Sequence, residues 1–106
     1  MEIKRYETYL VNLDPAVGSE MKETRPCVVL SPDEMNRHIQ TIIIAPSRTK
    51  SHPYVTRVRI TLQGKLGWIV LDQIRTIDRI RFVRKLGKLN ENTAQKVKAV
   101  IRETFW

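Results

Sequence analysis

Apolar residues in this chain alternate with polar ones in several short runs, and only near the end do they recur at every third or fourth position. That pattern predicts a set of short strands followed by one helix. Tyr9, Val11 and Leu13 share one face of a strand from Tyr6 to Leu13, which Asp14-Pro15 breaks. The polar stretch from Asp14 to Thr24, with Gly18 inside it, reads as a mobile loop. Arg25 to Leu30 forms a second strand around Val28-Val29-Leu30, with Pro26 near its start because proline brings no N–H to a ladder. Ser31-Pro32-Asp33-Glu34 has the pattern of a capping box with proline at the first helical position, so a short helix runs to about Arg37.

A third strand spans Thr41 to Ala45 and ends at Pro46, and its unbroken Ile42-Ile43-Ile44 implies cover on both faces. Ser47 to Tyr54 is a second polar loop. Val58, Ile60 and Leu62 alternate with Arg57, Arg59 and Thr61, a half-exposed strand with a basic outer face. Gln63-Gly64-Lys65 turns into Trp68-Ile69-Val70-Leu71, completing a hairpin. Asp72-Gln73 interrupts, Ile74 to Ile77 resumes as strand, and a basic connection through Arg79, Arg81, Arg84 and Lys85 leads to Leu86-Gly87-Lys88-Leu89. Asn90 caps the last helix, where Ala94, Val97, Val100, Ile101 and Phe105 make one stripe of core positions. These elements suggest the α+β class: a small curled antiparallel β-barrel with a short helix after strand two and a C-terminal helix.

Size and charge narrow this picture. At 106 residues the chain is expected to be one domain over 1–106, large enough to bury roughly two thirds of its unfolded surface around a single core. No apolar run approaches the ~18 residues of a membrane span, and no secretory leader pattern is present. Cys27 is the only cysteine and sits in a valine-rich run, which fits a small core residue in a reducing cytoplasm. The net charge of +8 is unevenly spread. Residues 1–46 carry five basic and seven acidic side chains, 47–78 six and two, and 79–106 eight and two. A basic excess confined to the second half implies a positive face for nucleic acid or an acidic protein segment.

The chemistry-bearing candidates are few. His38 and His52 stand in different segments without carboxylates at ligand spacing, so no metal or other cofactor is expected. What remains is Arg25 at a strand's lip, the loop residues Ser47, Arg48, Thr49 and Lys50, and Asp72 where an apolar residue would fit better. Brought together, they offer cations, hydroxyls and a carboxylate. That inventory suits cleavage of RNA by its own 2′-hydroxyl, which needs a base, an acid for the leaving 5′-oxygen and positive charge over the phosphate.

Val11-Asn12-Leu13-Asp14-Pro15, Val17-Gly18-Ser19-Glu20, Thr24-Arg25-Pro26, Asn36-Arg37, Ile42-Ile43-Ile44-Ala45-Pro46, Asp72-Gln73-Ile74-Arg75-Thr76-Ile77-Asp78 and Lys85-Leu86-Gly87 occur in order along nearly the whole chain. Together they resemble the MazF/PemK toxin family. The resemblance implies an SH3-like barrel, a homodimer, and a metal-independent, sequence-specific endoribonuclease that cuts single-stranded mRNA to a 2′,3′-cyclic phosphate. It also implies a cognate antitoxin with an acidic, disordered tail. By this resemblance Arg25 is the active-site arginine. Arg48 stands at the family's catalytic threonine position, so the resemblance offers the following Thr49 or the preceding Ser47 as the catalytic hydroxyl, while Asp72 matches a carboxylate used in part of the family, either as the base or as a structural cap of the interrupted strand. Arg48, Lys50, His52, Gln73 and Arg75 are expected along the RNA path. The departure at Arg48 leaves a second reading open, a non-catalytic barrel that binds an antitoxin, RNA or a DNA-handling enzyme.

Overall fold

The computed structural model describes residues 1–13 and 24–105. The loop expected from Asp14 to Thr24 therefore lies outside the described residues, apart from Thr24. Seven antiparallel strands, β1 (Glu7–Asn12), β2 (Thr24–Val29), β3 (Thr41–Arg48), β4 (Arg57–Leu62), β5 (Lys65–Val70), β6 (Arg75–Asp78) and β7 (Phe82–Lys88), join in the order β4-β5-β3-β2-β1-β7, with β6 also paired to β3. Helix α1 (Asp33–His38) follows β2, and α2 (Glu91–Phe105) is the last described element. The result is the expected α+β class, a curled antiparallel sheet forming half a barrel.

Alternation along the strands builds two cores on the two faces of that sheet. Tyr9, Val11, Cys27, Val29, Ile42, Ile44, Ile77 and Phe82 pack together on one face. Val28, Leu30, Ala45, Val58, Ile60, Ile69 and Leu71 meet Ala94 and Val97 of α2 on the other. Ile42 and Ile44 are fully buried in the first core while Ile43 packs against the second, so the triple isoleucine is covered on both faces as expected. The β4–β5 hairpin turns at Gln63-Gly64, both left-handed (φ 52° and 75°), the two-residue turn that matches the twist of its strands. Asn90 caps α2 as predicted, its Oδ1 accepting from the Thr93 amide at 2.8 Å.

Four expectations need correction. Pro46 does not end β3, which continues to Arg48. The ladder to β6 stops at Ile44 and the ladder to β5 starts at Ser47. The Ile43 amide points to the β2 side, toward the Ser31 hydroxyl, so by alternation the N–H that Pro46 lacks would fall in this gap. Secondly, the basic connection after Ile77 contains a strand. A short 3₁₀ turn (Arg79–Arg81) leads into β7, of which Phe82 is buried while Val83, Arg84 and Lys85 are exposed. Its charge hid it, since β7 is an edge strand that meets β1 with two register shifts and needs little apolar surface.

Thirdly, no capping box forms at α1: no side chain caps the helix at Pro32, and Glu34 turns outward to Arg37 and His38. Ser31 is buried instead, donating to Asn36 Oδ1 and accepting from the Ile43 amide. Lastly, Phe105 is not a core residue, being 64% exposed. It lies eight residues and about 12 Å along the helix from Val97, and belongs to neither core cluster.

Ser31→Ala leaves the Ile43 amide and the buried Asn36 side chain each short of a partner. Urea melts should show a loss of about 1–3 kcal/mol with an unchanged slope; an unaltered midpoint would mean this tie carries no weight.

Candidate functional site

The changeover in β3 places the site. Because β3 runs on through Pro46, Ser47 and Arg48 lie beside the start of β2 on one edge and beside Ile69 and Trp68 of β5 on the other. Two bonds stitch the β2 edge: the Ser47 hydroxyl donates to the Pro26 carbonyl at 2.7 Å, and Arg25 Nη1 donates to the Ser47 carbonyl at 3.3 Å. On the other edge Gly67 permits close approach, since a Cβ there would stand 3.0 Å from the Arg48 carbonyl oxygen.

Between these strands and the hairpin tip lies a groove of about 390 Å³ lined by Thr24, Arg25, Ser47, Arg48, Thr49 and Lys65, with Pro26, Gly67 and the tip residues completing it. Four of the sequence-predicted residues, Arg25, Ser47, Arg48 and Thr49, thus come together. Among its described lining residues there is no carboxylate and no histidine. Ser47 is buried with its hydroxyl committed to Pro26, whereas Thr49 is exposed. Gln73 reaches the groove indirectly, its Oε1 accepting from Arg48 Nη2 at 3.3 Å. Arg75, exposed on β6, lines no part of it.

Asp72 is placed differently. It sits in a 3₁₀ turn (Leu71–Gln73) between β5 and β6 and is not among the groove's lining residues. Arg57 grips it from two sides, Nε to Oδ1 and Nη2 to Oδ2, each at 3.2 Å, and Thr56 donates to Oδ1 at 2.9 Å. Arg57, with Thr56 assisting, holds the carboxyl below its usual value against the opposing effect of burial. The same guanidinium donates to Ser51 Oγ at 2.6 Å and lies over the Tyr54 ring at 4.8 Å. The loop carrying Thr49, Lys50 and His52 is thereby tied to the Asp72 turn. Lys50 and His52 line a shallower hollow with Ser51 and Arg57.

Sequence reasoning missed Lys65 and Arg57. Lys65 reads as a turn residue in the sequence, and nothing in the hairpin's own pattern says which groove its tip will border. Arg57 reads as one of three outward residues of β4 in the sequence, and its partner Asp72 lies fifteen positions away. Among the described residues no group of three histidine, cysteine or acidic side chains could hold a metal ion, and no helix is long and apolar enough to cross a membrane.

Comparison with known proteins agrees with this architecture. Residues 4–105 match the family model described as PemK-like, MazF-like toxin of type II toxin-antitoxin system. MazF from Deinococcus radiodurans superimposes with a TM-score of 0.82 at 22% identity, covering 98% of this chain and 96% of that one. The Mycobacterium tuberculosis toxin MazF-mt6 gives 0.80 at 19% identity over 93% and 95%. An endoribonuclease from a mycobacterial species, solved with its cognate antitoxin, gives 0.77 at 18% over 96% and 91%. With a matching fold and a family match over nearly its whole length, this chain belongs to the PemK-like, MazF-like toxins of type II toxin–antitoxin systems.

Proposed function

We propose that this toxin is an endoribonuclease that cuts single-stranded RNA without a metal ion, as a homodimer restrained by an antitoxin with an acidic tail. The observation that carries the reading is the gathering of Arg25, Arg48, Thr49 and Lys65 in one groove. Cations and hydroxyls are the donor set for a phosphodiester, while metals take the carboxylates and imidazoles that the described lining lacks.

In this reading the RNA's 2′-oxygen attacks the adjacent phosphorus and the P–O5′ bond breaks, giving a 2′,3′-cyclic phosphate and a 5′-hydroxyl. Arg25 stabilises the charge gained by the pentavalent phosphorus, and Thr49 donates to a non-bridging oxygen. Arg48, steadied by Gln73, and Lys65 hold the flanking phosphates, with Lys50 and His52 further along the strand. The 2′-hydroxyl proton passes to water, the 5′-oxygen takes a proton from Arg25 as the P–O5′ bond breaks, and the proton held by water then restores the guanidinium. Asp72 works as a positioning residue, holding Arg57 and through it the loop that presents Thr49. A non-catalytic, RNA- or antitoxin-binding barrel is the rival, favoured by Arg48 standing at the family's threonine position and by its bond to Gln73.

With excess chelator, the wild type should convert single-stranded RNA to fragments bearing 2′,3′-cyclic phosphate. Arg25→Ala should lower kcat about 10²- to 10³-fold, as loss of a charge-stabilising donor does, and Thr49→Ala about tenfold, the worth of one neutral hydrogen bond. Intact RNA at every pH and salt would leave only the binding barrel.

The Asp72 pair gives a separate expectation. Its carboxyl is depressed in the folded chain, so its stabilisation is complete above the ordinary carboxylate range and fades as pH falls through the folded value. Between pH 6 and 3 the wild type should lose Tm more steeply than Asp72→Asn. Parallel Tm-against-pH curves would mean the pair contributes nothing.

A further inference from the structure

We propose that Trp68 and Arg59, with Arg48, form a stacking platform that receives a base of single-stranded RNA beyond the cleavage groove; the inference rests on the nuclease reading and extends its substrate site. Trp68 on β5 stands directly opposite Arg48 on β3 and Arg59 on β4. Residues opposite one another in a sheet project to the same face, so these three make a row across adjacent strands about 10 Å long. The Arg59 guanidinium lies over the indole, 4.9 Å from the ring centroid. The row begins in the groove, because Arg48 lines it together with Arg25.

Trp68 is half-buried and lies outside both core clusters. Its neighbour Ile69 is fully buried in the α2-side core, whereas Trp68 points to the opposite face. Leu66, two residues earlier on that face, is 60% exposed. Beyond the hairpin a second groove of about 370 Å³ is lined by Arg59, Lys88 and Lys96, and it shares Leu62 and Leu66 with the first. Neither groove has a carboxylate among its described lining residues.

That combination selects the occupant. An apolar protein segment would leave Arg48, Arg59, Lys88 and Lys96 without counter-charge. A single nucleic-acid strand supplies a phosphate for each cation and a flat base for the indole–guanidinium pair, which is how sequence-tolerant grooves hold single strands. The platform therefore grips RNA away from the scissile phosphate and lengthens the recognised segment.

The test uses the full chain carrying Arg25→Ala, in which cutting is slowed about 10²- to 10³-fold, so that binding is read before the RNA is cut. Affinity is measured by fluorescence anisotropy for mixed-sequence, unstructured RNAs of about 4 and about 12 nucleotides, the range over which single-strand barrels take their ligands. The longer RNA should bind at least about tenfold more tightly. Adding Trp68→Ala should collapse that ratio toward one, adding Trp68→Phe should keep most of it, and adding Arg59→Ala should lower the salt slope by about one. The Phe variant guards against a fold defect in the Ala variant, and circular dichroism checks both.

A length ratio that ignores Trp68→Ala, or that Trp68→Phe abolishes as fully, overturns the proposal. So does an unchanged RNA ratio with weakened binding of an acidic peptide, which would assign this face to a protein partner. Should the wild type cut RNA while the ratio is independent of Trp68, the platform falls and the nuclease stands. If it cuts nothing yet the ratio depends on Trp68, the nuclease reading falls and the platform stands.

Discussion

A proline in the middle of the longest strand sets where the groove can form. β3 pairs with β6 up to Ile44 and with β5 from Ser47, and Pro46 occupies the gap between the two ladders. Without that change of partner, β5 and β6 could not share one edge of β3. The sheet would lack the curl that brings the hairpin tip toward Arg25. The Ser47 hydroxyl then locks the corner to β2 through the Pro26 carbonyl, and the Ser47 carbonyl receives the Arg25 guanidinium. A hydroxyl that reads as a candidate catalytic group in the sequence is bonded as a strut in the fold.

The basic excess is divided between structure and surface. Arg57 closes on Asp72, Arg79 donates to the carbonyls of Asn36 and Ile39 at the end of α1, and Lys85 pairs with the largely buried Glu7. Glu7 in turn accepts from the Tyr9 hydroxyl, and burial beside that carboxylate pushes the phenol up to about 12. These cations neutralise groups that folding takes from water, and net charge alone would wrongly count them toward ligand binding. No carboxylate is among the described residues lining the two grooves, whose cations are Arg25, Arg48, Arg59, Lys65, Lys88 and Lys96. Potential focused in concave surfaces of this kind draws polyanions.

Asp72 illustrates the same division for the acidic residues. A carboxylate held by a bidentate arginine and a threonine hydroxyl is pre-organised as an anchor and poorly placed to travel between proton donors. Arg57 links it to Ser51, and so to the backbone that carries Thr49.

Much of the architecture could be read directly from residue order. Alternation marked β1 and β4, short apolar runs marked β2 and β5, the Gln63-Gly64 turn joined β4 to β5, and Asn90 with its apolar stripe marked α2, because these signals are local and each residue's role depends on near neighbours. Arg25 at a strand's lip was legible for the same reason. Four features were not: the passage of β3 through Pro46, the edge strand β7 under its charges, the alliance of Arg57 with Asp72, and the row from Arg48 through Trp68 to Arg59. Each depends on which strand lies beside which, and pairing partners are set by burial of the two faces across distant segments. Sequence by itself determined the elements and the chemical groups available; only the folded sheet decided which of those groups meet in a groove and which merely hold it open.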